Sequence, residues 1–229
     1  GDISILSNLK MLKELDMHSL KGIPSLEPLS TLSALEYLNV NNSEGLTDIT
    51  ALKKLKSLKK LLIASNSIKD ATALAELENI ESLELSGTSI SDLTFLDTYT
   101  ELTYLGMAGL PVKSLPDLSK CKNLRQINAN NSNLEDIDGL IGLGNIKNIA
   151  ISGTSIANLE PISKCSQLQK LEIRSSKVNS LKPIENLNNL KELHFSNDFI
   201  TLDEATQFKE RHPACMVLVY DTTGTNCLL

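Results

Sequence analysis

One hydrophobic rhythm runs through the chain from end to end. Taking the central aliphatic of each L-x-x-L-x-x-L-x-L run selects Leu15, Leu38, Leu61, Leu83, Leu105, Ile127, Ile149, Leu171 and Leu193, at successive spacings of 23, 23, 22, 22, 22, 22, 22 and 22 residues. Two residues beyond each stands a second apolar or small side chain: Met17, Val40, Ile63, Leu85, Met107, Ala129, Ile151, Ile173 and Phe195. Alternation with a period of two predicts a short strand buried on one face. A further apolar set follows at spacing three, as in Ile90, Leu93 and Leu96, or Leu134, Ile137 and Leu140, or Ile156, Leu159 and Ile162. That spacing fits a tight helical turn.

A coil of about 22 residues cannot bury both sets alone, so neighbouring coils must stack. The prediction is an α/β solenoid, a right-handed coil with a parallel β-sheet on its concave face, short 3₁₀ turns on its convex face and a helical C-terminal cap. At roughly 4.8 Å per strand, nine units would extend about 40 Å. Between strand and turn stands Ser43, Asn66, Thr88, Ser132, Thr154, Ser176 or Asp198. A short polar side chain there is expected to bond backbone groups of the adjacent coil.

The ends depart from the rhythm. Ile3, Leu6 and Leu9 match the second half of a unit, with Asp2 in the place of Asp48, Asp92 and Asp136. The first residues are therefore read as the middle of a repeat with sequence missing upstream, and Gly1 as the remnant of a cleaved tag. Thr201, Leu202, Asp203 and Glu204 form a capping-box sequence that opens a helix to about Arg211, closed by Lys209, Arg211, His212 and Pro213. Met216 to Tyr220 reads as a final strand. Residues 1–200 are assigned to the repeats and 201–229 to the cap.

The units Leu77 to Leu93 and Leu143 to Leu159, each carrying Ser-Gly-Thr after the strand, resemble the 22-residue class of leucine-rich repeat. That class is found in bacterial internalins and in the nuclear regulatory subunit of protein phosphatase 1. The resemblance implies partner binding on the concave side, usually of a protein, and points to an exported or cell-surface bacterial protein.

Side chains alternate along a strand, so three outward stripes flank the buried positions. From them the candidate partner-binding residues are Tyr37, Asn39, Lys60, Leu62, Glu84, Tyr104, Gln126, Asn128, Asn148, Lys170, Glu172 and His194. Tyr37, Leu62 and Tyr104 are the bulky apolar members, and tyrosine is a frequent interface anchor; the alternative is that they pack sideways on their neighbours. Lys170, Glu172, Arg174, Glu192 and His194 fall on adjacent strands, where opposite charges are expected to form a local salt-bridge cluster before a binding site.

Composition narrows the partner. Aromatics make up 3% of the 229 residues with no Trp, so the core must be aliphatic, and the net charge of −6 would repel a phosphate backbone. Nucleic acid is therefore not expected, and no apolar run approaches the length of a membrane span. Only His18, His194 and His212 could serve nucleophilic catalysis as a base, and His18 and His194, eight registers apart, cannot share a site. Glu172 beside His194 has no further His or Cys on a neighbouring register to complete a metal shell. Gly139, Gly142 and Gly144 fall in a convex turn, not in a phosphate loop. Cys121 and Cys165 stand at leucine positions two repeats apart, hence buried thiols about 10 Å apart and beyond disulfide reach. Cys215 and Cys227 both lie in the cap, where they either form a bridge or leave Cys215 buried and Cys227 free. The expected function is a non-catalytic protein-binding module without cofactor or metal. The alternatives are glycan or cell-wall recognition, suggested by the Asn, Gln and Ser residues from Gln126 to Ser152, and the targeting portion of a larger enzyme.

Overall fold

The computed structural model describes residues 2–221 and 225–229, so Gly1, with its reading as a tag remnant, lies outside the described residues. Eleven strands form one sheet in chain order: β1 (Glu14–Asp16), β2 (Tyr37–Asn39), β3 (Lys60–Leu62), β4 (Ser82–Glu84), β5 (Tyr104–Gly106), β6 (Gln126–Asn128), β7 (Asn148–Ala150), β8 (Lys170–Ile173), β9 (Glu192–Ser196), β10 (Met216–Tyr220) and β11 (Asn226–Leu228). The first ten are parallel, and every central aliphatic pairs with the next, from Leu15 with Leu38 to Leu171 with Leu193 and Leu193 with Val217. β11 then runs antiparallel to β10 and covers its edge, a strand the repeat pattern does not encode.

The strands stay short because the chain turns soon after the second inward residue. Ser19, Asn42, Ser65, Gly87, Gly109, Asn131, Gly153 and Ser175 all hold positive φ there, at 49–71°. Left-handed backbone at that point re-aims the chain towards the convex side, and it is tolerated best by Gly and Asn. The core is a single continuous aliphatic cluster in which Leu38, Leu61, Leu83, Leu105, Ile127, Leu171 and Leu193 are fully buried.

The polar residue after each strand behaves differently from expectation. Asn66 does bridge coils, its Oδ1 accepting from the Ser43 amide at 2.8 Å and its Nδ2 donating to the Val40 and Ile63 carbonyls at 2.9 Å. Ser132, Thr154 and Ser176 instead donate to carbonyls of their own coil, Ala129, Ile151 and Ile173, each at 2.7 Å. At this buried position the hydroxyls reach a carbonyl of their own coil, whereas the longer carboxamide carries both a donor and an acceptor and serves two coils. Asp198 is exposed, and Leu110 takes the position in the fifth unit.

On the convex side 3₁₀ turns recur, among them Thr50–Lys54, Thr72–Glu76, Thr94–Thr98, Asp138–Leu140 and Glu160–Ile162. Three open on an Asp carboxylate that accepts a backbone N–H two residues on, Asp48 from Thr50 (2.8 Å), Asp70 from Thr72 (2.9 Å) and Asp92 from Thr94 (2.9 Å), and Asp117 accepts from Ser119 (2.8 Å) in the same way without a 3₁₀ turn. Backbone hydrogen bonding holds these four carboxyls below their ordinary 3.8. The fifth coil returns through Leu115 and Pro116 without a 3₁₀ turn, and Gly139 of the next coil lies against it.

The cap helix α1 (Leu202–Arg211) begins at Thr201, whose hydroxyl accepts from the Glu204 amide at 3.2 Å. The reciprocal half of the capping box does not form. Glu204 Oε1 accepts from the Ser180 hydroxyl at 2.9 Å and the Leu181 amide at 2.7 Å, docking the helix onto the eighth coil. Ala205 and Phe208 bury the inner face of α1, and Phe208 stacks on His212 at 4.2 Å. All four cysteines are free: Cys121, Cys165 and Cys215 are buried, and Cys227 is exposed on β11. Among the described residues no helix is long and apolar enough to cross a membrane.

Candidate partner-binding face

The register fixes where each outward residue lies on the concave sheet. One row runs Tyr37, Lys60, Ser82, Tyr104, Gln126, Asn148, Lys170, Glu192 and a second runs Asn39, Leu62, Glu84, Gly106, Asn128, Ala150, Glu172, His194. Every predicted residue falls on one of these rows. They do not form a single patch, because much of the N-terminal half is engaged with itself.

Lys60 Nζ sits 5.4 Å from the centroid of the Tyr37 ring. Asn39 donates to Asp16 at 3.1 Å and accepts from the Asn41 amide at 3.0 Å. Glu84 folds over Gly106, where its carboxylate accepts from the Tyr104 hydroxyl at 2.7 Å and the Ser86 amide at 2.8 Å. Any Cβ on Gly106 would overlap that carboxylate, so glycine here is what lets Glu84 lie flat. Burial and the Glu84 carboxylate both push the Tyr104 hydroxyl well above the usual phenol range. Leu62 is half-buried in the row between Asn39 and Glu84.

At the C-terminal end the expected charge cluster forms in part, around Lys170 and without Arg174. Lys170 Nζ reaches Glu172 at 2.9 Å and Glu192 at 3.1 Å, and both partners raise its pKa. His194 is different: burial lowers its pKa, and its Nε2, 3.7 Å from Glu192, has no hydrogen-bond partner among the described residues. A neutral imidazole contributes packing there and little charge.

Two recesses remain open. The first, of about 300 Å³, lies over β6 to β8 and is lined by Gln126, Asn128, Asn148, Lys170 and Glu172, all predicted, together with Asn130. The second, of about 620 Å³, lies beside it and shares Asn130; its walls include Ser152, Arg174, Ser196, Asp198 and Tyr220. None of these five is among the residues chosen for protein binding, although Ser152 ends the polar run that suggests a glycan and Arg174 belongs to the expected charge cluster. The signal was partly visible, since Asn130, Ser152, Arg174 and Ser196 form the third outward stripe. Tyr220 enters because β10 pairs Tyr220 with Ser196 in full register, bringing its ring 4.8 Å from the Arg174 guanidinium carbon.

The stripe is also a backbone ladder. Asn130 Oδ1 accepts from the Ser152 amide at 2.8 Å, Ser152 Oγ from the Arg174 amide at 3.1 Å and Ser196 Oγ from the Ser175 amide at 2.9 Å. These bonds consume acceptor oxygens and bury Ser152 at a nominally outward position. The carboxamide N–H and hydroxyl O–H groups of these residues remain available to donate. Such a surface can hold a ligand by hydrogen bonds and one guanidinium. Among the described residues no group of three or more His, Cys, Asp or Glu is arranged to hold a metal.

Comparison with known proteins agrees with the repeat fold. Residues 72–198 match the family model described as the LRR domain of the endo-beta-N-acetylglucosaminidase EndoS. The chain belongs to that leucine-rich-repeat family. Among solved structures, the repeat chain is similar to an internalin (inlF) from Listeria monocytogenes, with TM-score 0.80 and 21% identity over 96% of this chain and 70% of that one. It is similar to internalin C2 from the same organism, with TM-score 0.75 and 20% identity over 82% and 89% of the two chains. A plant peptide hormone receptor, RGFR1, solved in complex with RGF2, superposes with TM-score 0.73 and 17% identity over 95% of this chain but 41% of the receptor. At these identities the likeness is one of fold. No curated protein sequence matches the chain.

Proposed function

We propose that this leucine-rich-repeat chain is a non-catalytic module of an exported or surface protein, holding an extended protein segment against the C-terminal half of its concave sheet. The pair of adjoining recesses sharing Asn130 carries the reading, because there the outward side chains are not wholly spent on one another. Tyr37, Asn39, Lys60, Leu62, Glu84 and Tyr104 form a pre-ordered shoulder beside the recesses, whose locked side chains lose little entropy on contact. His194, neutral and half-buried, closes the far side. The internalin-like fold and a peptide receptor of the same architecture support a protein or peptide partner.

Two other readings keep a specific observation each. The Asn, Gln and Ser lining suits a glycan, and the family model comes from the LRR domain of an endoglycosidase, which suits a targeting portion of a larger enzyme. The discriminating experiment probes the full chain on peptide and glycan arrays, alongside Asn148→Arg on the concave face and Lys164→Glu on the convex side. A peptide hit weakened about tenfold or more by Asn148→Arg, worth about 1.4 kcal/mol, and unchanged by Lys164→Glu, is expected. Hits confined to glycans, or a peptide hit indifferent to Asn148→Arg, would overturn the proposal.

A further inference from the structure

The 620 Å³ cleft holds one cation, Arg174, and two carboxylates, Asp198 and Asp221, with neither of which it forms an ion pair. Arg174 is half-buried, its guanidinium stacked 4.8 Å over the Tyr220 ring, and it makes no ion pair among the described residues. Its Nε is buried and has no hydrogen-bond acceptor among the described residues. A stacked guanidinium is pre-organised: the ring fixes its plane and the terminal N–H groups project as a fork, the geometry that matches a carboxylate. Around it Asn130, Ser152 and Ser196 each accept one backbone amide and still carry N–H or O–H protons that can donate. The cleft is thus rich in donors.

The walls also limit what can enter. Asp198 and Asp221 line the same cleft and would repel a doubly charged phosphate or sulfate. Asp198 can accept from an N–H group next to a single carboxylate, which is how a peptide presents one, while Asp221 Oδ1 already accepts from the Thr225 amide at 2.9 Å. A sugar would want a bare aromatic face to stack on. Here one side of Tyr220 lies under Arg174, and the His194 ring stands 6.1 Å from it.

We infer that the Arg174–Tyr220 cleft is a carboxylate-binding subsite that anchors an acidic peptide group, either an Asp or Glu side chain or a free C-terminus. This rests on the concave-face reading above and names the chemistry of its partner at one end.

The test follows the Arg174 Nε–Hε resonance of the isotopically labelled full chain, assigned by its loss in Arg174→Gln. The probes are N-acetyl-glutamate N-methylamide for a side-chain carboxylate and N-acetyl-glycylglycine for a chain terminus. Their carboxamide counterparts and a neutral chitobiose serve as controls. At least one carboxylate probe should shift the resonance saturably, about tenfold more tightly than its carboxamide. The stronger of the two identifies the source. Arg174→Lys, which keeps charge but not the flat fork, should weaken binding comparably while backbone amides elsewhere stay in place. No saturable shift, an equal response to the carboxamide, or a response to chitobiose alone would overturn the inference. If the probes move amides of β6 and β7 but not Arg174, the subsite falls while the concave face stands as a binding surface. If Arg174 responds while a cognate partner footprints on the convex side, the subsite stands and the proposed function falls.

Discussion

Gly139, Gly142 and Gly144 look alike in the sequence, three glycines within six residues of one convex turn, yet their surroundings predict three different outcomes on substitution by alanine. At Gly139 a Cβ would run into the Pro116 carbonyl oxygen and stand 2.7 Å from Leu115 Cβ. Neither can swing away: the first is backbone, and Leu118 N is tied to the Gly139 carbonyl at 3.0 Å. The coils must separate locally, an overpacking cost of about 2 kcal/mol. For a chain of this size that lowers Tm by about 4–8 °C. Gly142 has open space around it but a φ of +86°, so alanine there costs about 1 kcal/mol through backbone strain alone. Gly144 has neither neighbour within 4 Å nor positive φ. Alanine at that site should stabilise by about 0.4–1 kcal/mol by restricting the unfolded chain. Urea unfolding of the three variants measures this, with unchanged m-values as the check that the repeats still unfold together. A Gly139→Ala variant as stable as its parent, or a Gly144→Ala variant as damaged as Gly139→Ala, would refute the reasoning.

Acid should weaken the solenoid in a definite window. Asp48, Asp70, Asp92 and Asp117 titrate below 3.8 when folded, so as pH falls the unfolded chain takes up protons first. Their stabilisation is complete above that value and lost as pH drops through the folded pKa values. Changing all four to Asn, the residue that serves the Glu160 amide at 2.9 Å through Asn158, should flatten the acid limb of a stability–pH curve; an unaltered limb would count against it. Tyr99→Phe removes a fully buried hydroxyl that donates to the Leu74 carbonyl at 2.7 Å, and calorimetry should show a loss of about 1 kcal/mol. Exposed Cys227 should take up iodoacetamide in the native state while Cys121, Cys165 and Cys215, pushed up to about 11 by burial, wait for unfolding. Mass spectrometry finding the three labelled natively would contradict the burial.

The stacking direction, the strand register and the identity of the buried positions were legible because one interaction, aliphatic burial, recurs nine times with a fixed spacing. Leu61 pairing with Leu83 and Ile127 with Ile149 follow from that spacing alone. The outward rows were legible for the same reason. Their state was not. Whether Tyr104 is a free anchor or is tied to Glu84 depends on a glycine one row over at Gly106, a pairwise side-chain matter that no period reveals. Glu204 was visible as a capping residue, but its actual partners, Ser180 and Leu181, lie in another coil. The Arg174 cleft needed Tyr220, which follows its partner Ser196 by 24 residues, off the repeat, with β11 behind it.

The central claim is that the C-terminal half of the concave sheet is the surface that grips. Hydrogen exchange of the chain with and without a bound peptide reads this directly, residue by residue. Slowed exchange is expected in β6 to β9 and in the loops that carry Asn131 and Ser175, with the 3₁₀ turns Thr72–Glu76 and Glu160–Ile162 unchanged. Slowing confined to those turns, with β6 to β9 exchanging as before, would contradict it.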